Sequence, residues 1–338
     1  MGCCLSALEP ARLQLLGRPD AELPDADDAL SVESLPPGAV RADVPWSSLL
    51  HRRYHAEGAF SQVFLAVLDA EAVALKILKE DAAENELARR DLEHEARLLA
   101  SLSHRHVVRL LGCGTHSSRP FLLLEPLAAT LASSLPKPFP DHATICEHYA
   151  ARARWPRRRA ASVAVQLSRA LRYLHAECAF APLLHRDLKP DNVGFAAAGR
   201  VVLFDFGLAR ESGAADDAPR ALTGKTGSTR YMSPEVALCK PYNSKADVFS
   251  FATLLWQMLA HERPFSGMSV SDFEQKVALG GHRPKISSSW PPQLQQLLSE
   301  CWEVDAHKRP PFVQIVPRLE AVLRDLTLPA DVRARANA

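Results

Sequence analysis

No stretch of this 338-residue sequence approaches the roughly 18 consecutive apolar residues that a membrane-spanning helix needs. A transmembrane helix is therefore not expected, and no cleavable secretory signal is read at the start. Charge of neither sign prevails: 40 basic against 39 acidic side chains leave +1, so a global electrostatic pull on nucleic acid is missing. The seven cysteines show neither zinc-ligand pairs nor a regular framework, which points to a reducing compartment. Cys113, Cys146, Cys178, Cys239 and Cys301 are scattered and read mostly as buried thiols. What remains is ordinary. With 47% hydrophobic and 23% charged residues, this is a globular chain with room for one large domain or two small ones, plus tails.

The other two cysteines are adjacent, in Met1-Gly-Cys-Cys-Leu-Ser6. Loss of Met1 exposes Gly2, with Ser6 where the N-myristoylation pattern requires a hydroxyl. One myristoyl chain anchors a protein only marginally, so a second signal is needed. Residues 1–44 cannot supply a polybasic one, because three arginines face eight acidic groups, a net of −5. Cys3 and Cys4, as palmitoylation sites, are then the expected second signal, and the cytoplasmic face of a membrane, the plasma membrane first, is the expected location. The competing interpretation is an unmodified start with two incidental cysteines. Residues 1–45 otherwise read as a disordered acidic linker, rich in Pro, Asp, Ala and Glu and without sustained periodicity. Order is expected from Trp46 to Leu326, with 327–338 a loose tail.

The chemistry concentrates between residues 184 and 207, in Leu184-His-Arg-Asp187-Leu-Lys189-Pro-Asp-Asn192-Val-Gly194-Phe and, after a gap, Val201-Val-Leu-Phe-Asp205-Phe-Gly207. Asp187, Asn192 and Asp205 offer oxygen ligands for a hard cation plus a carboxylate free to handle a proton. Magnesium takes few protein carboxylates and is completed by phosphates and water, so the set suits a nucleotide enzyme. The His-Arg-Asp…Asn run followed by Asp-Phe-Gly resembles the catalytic core of the eukaryotic protein kinases. Lys189, two residues after Asp187, matches the serine/threonine pattern. Asp247-Val-Phe-Ser-Phe…Leu-Trp256 and Cys301-Trp302…Arg309-Pro310 resemble the tyrosine-kinase and tyrosine-kinase-like groups. Together they suggest a tyrosine-kinase-like serine/threonine kinase.

That resemblance implies an α+β, bilobal fold: a small antiparallel β-sheet lobe with one key helix (about 46–127), a larger mainly helical lobe (about 128–326), and ATP between them. It implies Asp187 as the base receiving the substrate hydroxyl's proton, Lys189 steadying the γ-phosphate, and Asn192 and Asp205 holding Mg2+. Val73-Ala74-Leu-Lys76-Ile-Leu alternates as a strand with one lysine in an apolar run, which demands a partner or ligand. Nineteen residues on, Glu95 edges the apolar face of a helical stretch, so by resemblance Lys76 holds the α- and β-phosphates and Glu95 fixes it. The phosphate-covering loop aligns with Val63 at its end and Ala56, Gly58 and Ser61 at the three glycine positions, of which only Gly58 is retained. Ala74 lines the nucleotide by the same resemblance. Leu124 guards the adenine pocket, backbone groups of Glu125 and Leu127 bond the base, and Gly194 suggests a roomier floor beneath it.

Residues 205–235 resemble an activation segment ending in Ser233-Pro-Glu235. Arg186 is the residue that pairs with a phosphate there, put on by an upstream kinase or by autophosphorylation. Thr223 and Thr226 are the candidate acceptors ahead of Ser212, Ser228 and Thr229, with Ser228 read as structural. Arg309 is expected to pair with Glu235, and Asp247 to bond the backbone of the catalytic loop. Residues 136–159 lose periodicity and read as an insertion carrying five arginines, either a solvated surface or a face for an acidic partner or membrane. The expected partners are a protein substrate, ATP and, through acylation, a membrane, with no nucleic acid. The rival reading is a membrane-tethered pseudokinase scaffold, suggested by Ala56, Ser61 and Gly194. A small-molecule kinase is disfavoured, because the activation segment builds a platform for a peptide.

Overall fold

The computed structural model describes residues 40–137, 145–212 and 217–328, which divide into two units. Gly2, Cys3 and Cys4 lie outside the described residues. The first unit runs to Leu131 and also takes in Gly194–Gly207. Its centre is a five-stranded antiparallel sheet of β1 (Leu50–Glu57), β2 (Ser61–Leu68), β3 (Glu71–Leu78), β4 (Leu110–His116) and β5 (Arg119–Leu124), in the order β1-β2-β3-β5-β4. Two-residue turns close two of its hairpins, Asp69-Ala70 and Ser117-Ser118, each with both residues at positive φ. That is the turn geometry that matches strand twist, here reached without glycine. Alternation along β3 puts Val73, Leu75 and Ile77 into one core with Ala66, Leu68, Phe121 and Leu123. Ala74 and Lys76 are thereby left on the opposite face.

Helix α1 (Glu86–Ser101) begins at Asn85, whose side chain accepts from the Ala88 N–H and so satisfies one orphan donor of the first turn. Its buried stripe of Ala88, Leu92, Leu98 and Leu99 carries Glu95 inward with it. Each fully buried leucine contributes about 2 kcal/mol, and this outweighs the cost of drawing in one paired carboxylate. Ahead of β1, residues 41–44 run along β4. Arg41 N–H bonds Leu111 O (3.2 Å), Cys113 N–H bonds Arg41 O (2.9 Å) and Val44 N–H bonds Cys113 O (2.9 Å). Trp46 then stacks on His116, with ring centroids 3.9 Å apart. A second small sheet, in this unit but for Val193, orders β6 (Ala129–Thr130), β8 (Val193–Phe195) and β9 (Val201–Leu203) as β6-β8-β9.

The second unit is mainly helical: α2 (Ile145–Ala153), α3 (Arg157–Ala176), α4 (Lys245–Ala260), α5 (Pro292–Cys301) and α6 (Phe312–Thr327). Strands β7 (Leu183–Leu184) and β10 (Arg210–Glu211) form a short antiparallel pair. Helix α4 is buried nearly all round, as its apolar sequence requires, and α3 packs along α6. Residues 145–153, where the sequence offers no period, are nonetheless helical. The segment after α2 is held by Trp155, which is buried beneath the Arg159 guanidinium (4.2 Å to the ring), and by Arg157 bonding Ser289 Oγ at 3.0 Å. The expectation for the cysteines needs correcting. Cys178 and Cys301 are buried, Cys113 is half-buried, and Cys146 and Cys239 are exposed, since no apolar stripe draws the last two inward.

Candidate active site

Lys76 is the hub of the first unit. The strand register sets it opposite Val63 on β2 and Leu122 on β5, with Ala74 two residues back on the same face. Its ammonium bonds Glu95 Oε2 at 2.7 Å and Asp205 Oδ1 at 2.9 Å. Glu95 is 1% exposed, and its other oxygen accepts from the Phe206 N–H at 3.2 Å, so one buried carboxylate ties α1 to the lysine and to the Asp-Phe-Gly turn. Burial by itself would depress the Lys76 ammonium, but the charges of Glu95 and then Asp205 outweigh it and hold the group above its ordinary range. Lys76 is therefore cationic at neutral pH.

The loop between β1 and β2 is a tight turn in which Gly58 N–H bonds Ser61 O at 2.8 Å and Lys79 N–H bonds Phe60 O at 2.9 Å. Ala56 pairs with Val63 directly after an irregularity in the register of β1, Ser61 pairs with Leu78, and neither adopts positive φ. The two lost glycines are therefore compatible with this backbone. After β5, Glu125 is locked in place: its side chain accepts from Arg109 N–H (3.0 Å) and from Arg200 (2.5 Å), and its own N–H bonds Arg109 O. Among the described residues, the Glu125 carbonyl and the Leu127 N–H and carbonyl take no backbone partner. They are thus open to the edge of a base.

Gly194 does not leave the roomier floor expected of it. A Cβ built there would stand 2.5 Å from Leu127 Cδ1 and 3.2 Å from Phe204. The Leu127 side chain fills the space, so the volume is exchanged between two positions rather than emptied.

In the second unit, Asp187 is 7% exposed and fully engaged. Its Oδ1 accepts from Ser228 N–H (2.9 Å); its Oδ2 accepts from Lys189 (2.6 Å) and from the Asn192 amide (2.9 Å). The contact from Ser228 runs through its backbone, not its hydroxyl. The loop carrying Asp187 is fixed from below by Asp247, which accepts from His185 N–H (2.8 Å), Arg186 N–H (3.0 Å) and the His175 ring (2.9 Å). Burial pushes the Asp247 carboxyl up, yet the His175 hydrogen bond and neighbouring charges bring it below the usual range.

Asn192 turns its amide nitrogen to Asp187 O and Oδ2, which leaves its carbonyl oxygen as a donor for a hard cation. Asp205 brings a carboxylate that is 42% exposed and meets Lys76 through Oδ1. The donor chemistry of both residues fits magnesium.

Sequence reasoning did not single out the feature that seats the activation segment. Gly227 has φ +87°, and a Cβ there would fall 2.4 Å from Arg186 O. A glycine ahead of Ser228 was the available signal. The candidate acceptors differ in their surroundings. Arg186 reaches Thr223 Oγ1 at 2.6 Å and Thr223 O at 3.2 Å, and the Tyr242 hydroxyl also bonds Thr223 O at 2.9 Å. The Thr226 hydroxyl is turned onto Thr223 O (3.0 Å) and Gly224 O (3.2 Å), while Ser212 is buried. Arg309, fully buried, grips Glu235 with two bonds of 2.6 and 2.9 Å. Burial tends to raise the Glu235 carboxyl, and the Arg309 contact lowers it below its ordinary value.

Comparison with known proteins identifies the family. The sequence model of the family described as "Protein tyrosine and serine/threonine kinase" matches residues 52–319. Serine/threonine-protein kinase VIK of Arabidopsis thaliana is 32% identical over 280 residues, covering 81% of this chain and 60% of the relative. Serine/threonine-protein kinase STY17 of Arabidopsis thaliana is 31% identical, covering 80% and 44%. Human mitogen-activated protein kinase kinase kinase 11 is 30% identical, covering 80% and 31%. The chain thus spans less than two thirds of the length of these relatives. From the ordered lysine–glutamate and aspartate–asparagine sets, and from a family match over most of its length, the chain belongs to the protein tyrosine and serine/threonine kinase family, alongside serine/threonine kinases of the tyrosine-kinase-like type.

Proposed function

We propose that this chain is an ATP- and magnesium-dependent protein kinase that phosphorylates serine or threonine of protein substrates at the cytoplasmic face of a membrane. The observation that carries the reading is Asp187. It is an oriented carboxylate whose two oxygens are held by Ser228, Lys189 and Asn192, so a substrate hydroxyl arriving there meets a base in a fixed position. Phosphoryl transfer asks mostly for positioning and charge neutralisation. Lys76 would hold the α- and β-phosphates, Lys189 would move from Asp187 to the incoming γ-phosphate, and the open backbone groups of Glu125 and Leu127 would take the adenine. Asn192 and Asp205 would hold magnesium, which when bound supplies positive charge against the transferring phosphoryl group.

A protein, rather than a small molecule, is favoured by the surface next to Asp187. Ser228–Tyr231, Phe265, Met268, Val270 and Phe273 line a largely apolar cavity of about 340 Å³, suited to a side chain flanking the acceptor. Thr223 is the favoured regulatory phosphosite, because a phosphate on its hydroxyl would meet Arg186. Among the described residues no helix is long and apolar enough to cross a membrane. Membrane residence would therefore rest on acylation at Gly2, Cys3 and Cys4.

Labelled-ATP transfer by the wild type and Asp187→Asn tests the activity. Transfer should fall at least a hundredfold in the variant, and equal labelling by both would overturn the reading in favour of a pseudokinase scaffold. Fractionation of Gly2→Ala in the same expression host checks the anchor, which is wrong if the variant partitions like the wild type.

A further inference from the structure

The chemistry proposed for Asp187 leaves two charged stretches of the chain without a role, and both lead to one end of β4. Between Ala96 and Leu124 the sequence holds four arginines and no acidic residue. The next acid, Glu125, is fully engaged: Oε1 accepts from Arg109 N–H at 3.0 Å, and Oε2 accepts from Arg200 at 2.5 Å. Arg200 also bonds Arg105 O, so backbone groups of Arg105 and Arg109 flank the Arg200–Glu125 pair. The side chains of Arg105 and Arg109 stay exposed, and among the described residues neither guanidinium forms a hydrogen bond or ion pair. Three arginines against one carboxylate leave this corner of the first unit at a net of +2.

The second stretch is residues 20–33, which lie outside the described residues. It carries Asp20, Glu22, Asp25, Asp27, Asp28 and Glu33 with no basic residue. Anionic lipid repels such a segment, so a membrane surface is not its partner. The described chain begins at Val40, beside those arginines: Arg41 N–H bonds Leu111 O at 3.2 Å, and Arg41 pairs in parallel with Gly112. Arg41 itself holds Asp69, so its charge is already met. Leu111 is two residues from Arg109, about 7 Å along an extended strand, whereas the run from Asp28 to Val40 reaches about 40 Å when extended. The acids are thus tethered next to the arginines with slack to turn back on them. A short flexible tether presents its ligand at about millimolar effective concentration, enough to occupy a weak site.

We propose that Arg105 and Arg109, with Arg200 between them, form a docking surface for the acidic segment 20–33 of the same chain. Carboxylates of the segment pair with the two exposed guanidinium groups, which favour such partners through their forked donors. Docking holds the N-terminal segment against the start of β4 instead of leaving it at the full reach of the linker. The contact does not depend on the chemistry assigned to Asp187.

The full-length protein, without acylation, is treated with an endoprotease specific for glutamate, and cleavage after Glu22 and Glu33 is followed by mass spectrometry. Cleavage should be about three- to tenfold slower in the wild type than in Arg105→Glu with Arg109→Glu, and the difference should fade as salt is raised to about 0.5 M. Asp25→Lys, Asp27→Lys and Asp28→Lys together alter the tail and leave the sheet untouched, and they should speed cleavage to the same degree. Combining both sets of substitutions should restore slow cleavage, which neither a folding defect nor a general charge effect would do. Cleavage left unchanged by either set overturns the proposal. Protection that grows with protein concentration overturns it too, in favour of a second copy of the chain as the occupant.

Discussion

Gly58 and Gly227 both sit in turns beside groups proposed above to meet the reactants, and the chain treats them in opposite ways. At Gly227 the protein itself forbids anything else: φ is +87°, and an added Cβ would strike Arg186 O at 2.4 Å. At Gly58 no positive φ is adopted, and an added Cβ would meet only Ser61 atoms, at 3.6 and 3.8 Å, in ordinary contact. The first glycine serves an internal fit, since it lets the activation segment approach closely enough for Ser228 to bond Asp187. The second is not demanded by any neighbour in the fold, so its smallness matters only to something arriving from outside. Two identical residues thus report on different things, one on the seating of Ser228 against Asp187 and one, on the function proposed above, on the approach of phosphate.

The sharpest way to break this distinction is Gly227→Ala. A non-glycine residue in the left-handed region costs about 1 kcal/mol, and the clash with backbone is added to it. The segment must lift, and Asp187 then loses the Ser228 N–H. Transfer should fall at least a hundredfold, and the melting temperature should drop by several degrees in calorimetry. An active, stable variant would show that the seat is not needed.

A smaller effect is expected of Thr223→Val, which keeps the shape of the side chain and removes the hydroxyl that Arg186 contacts. Activity after incubation with ATP should fall about tenfold, while Thr226→Val stays within about twofold. Mass spectrometry of the phosphorylated segment checks the assignment directly. If Thr226 carries the phosphate and Thr223 none, the seat is regulated from a different residue.

What the sequence made legible were the residues fixed by spacing along one chain. Lys76 inside an apolar alternation lies on β3 and meets Glu95, on the inner edge of a helical face, at 2.7 Å, and Asn192 bonds Asp187 of the same short run at 2.9 Å. Relations between distant positions were not legible. Leu127 filling the volume above Gly194 is a packing exchange across 67 residues, and each residue looks ordinary alone. Residues 41–44 adhere to β4 through backbone bonds, which carry no side-chain signal, and the close approach is recorded only in Gly112 and Gly114. Helix α2 and buried Trp155 escaped notice because α2 has no apolar period and five arginines between 152 and 159 surround Trp155, on which the packing there depends.

Gly58→Ala should have the smallest effect, and its profile should be the reverse of that at Gly227. With only ordinary contacts to Ser61 and no strained φ, the methyl group should leave stability within about 0.5 kcal/mol of wild type. It should act only when nucleotide is present, raising KM for ATP about threefold and reducing the thermal shift that ATP produces, with turnover at saturating ATP little changed. The loop already carries side chains at Ala56 and Ser61, so the approach of phosphate has narrowed to one glycine, and that glycine should be sensitive to a single methyl. If Gly58→Ala destabilised the unliganded protein as much as Gly227→Ala, the two turns would be governed by the same internal fit. If it changed neither stability nor KM, phosphate would not approach the loop at this point, and Ser61 would be the next position to vary.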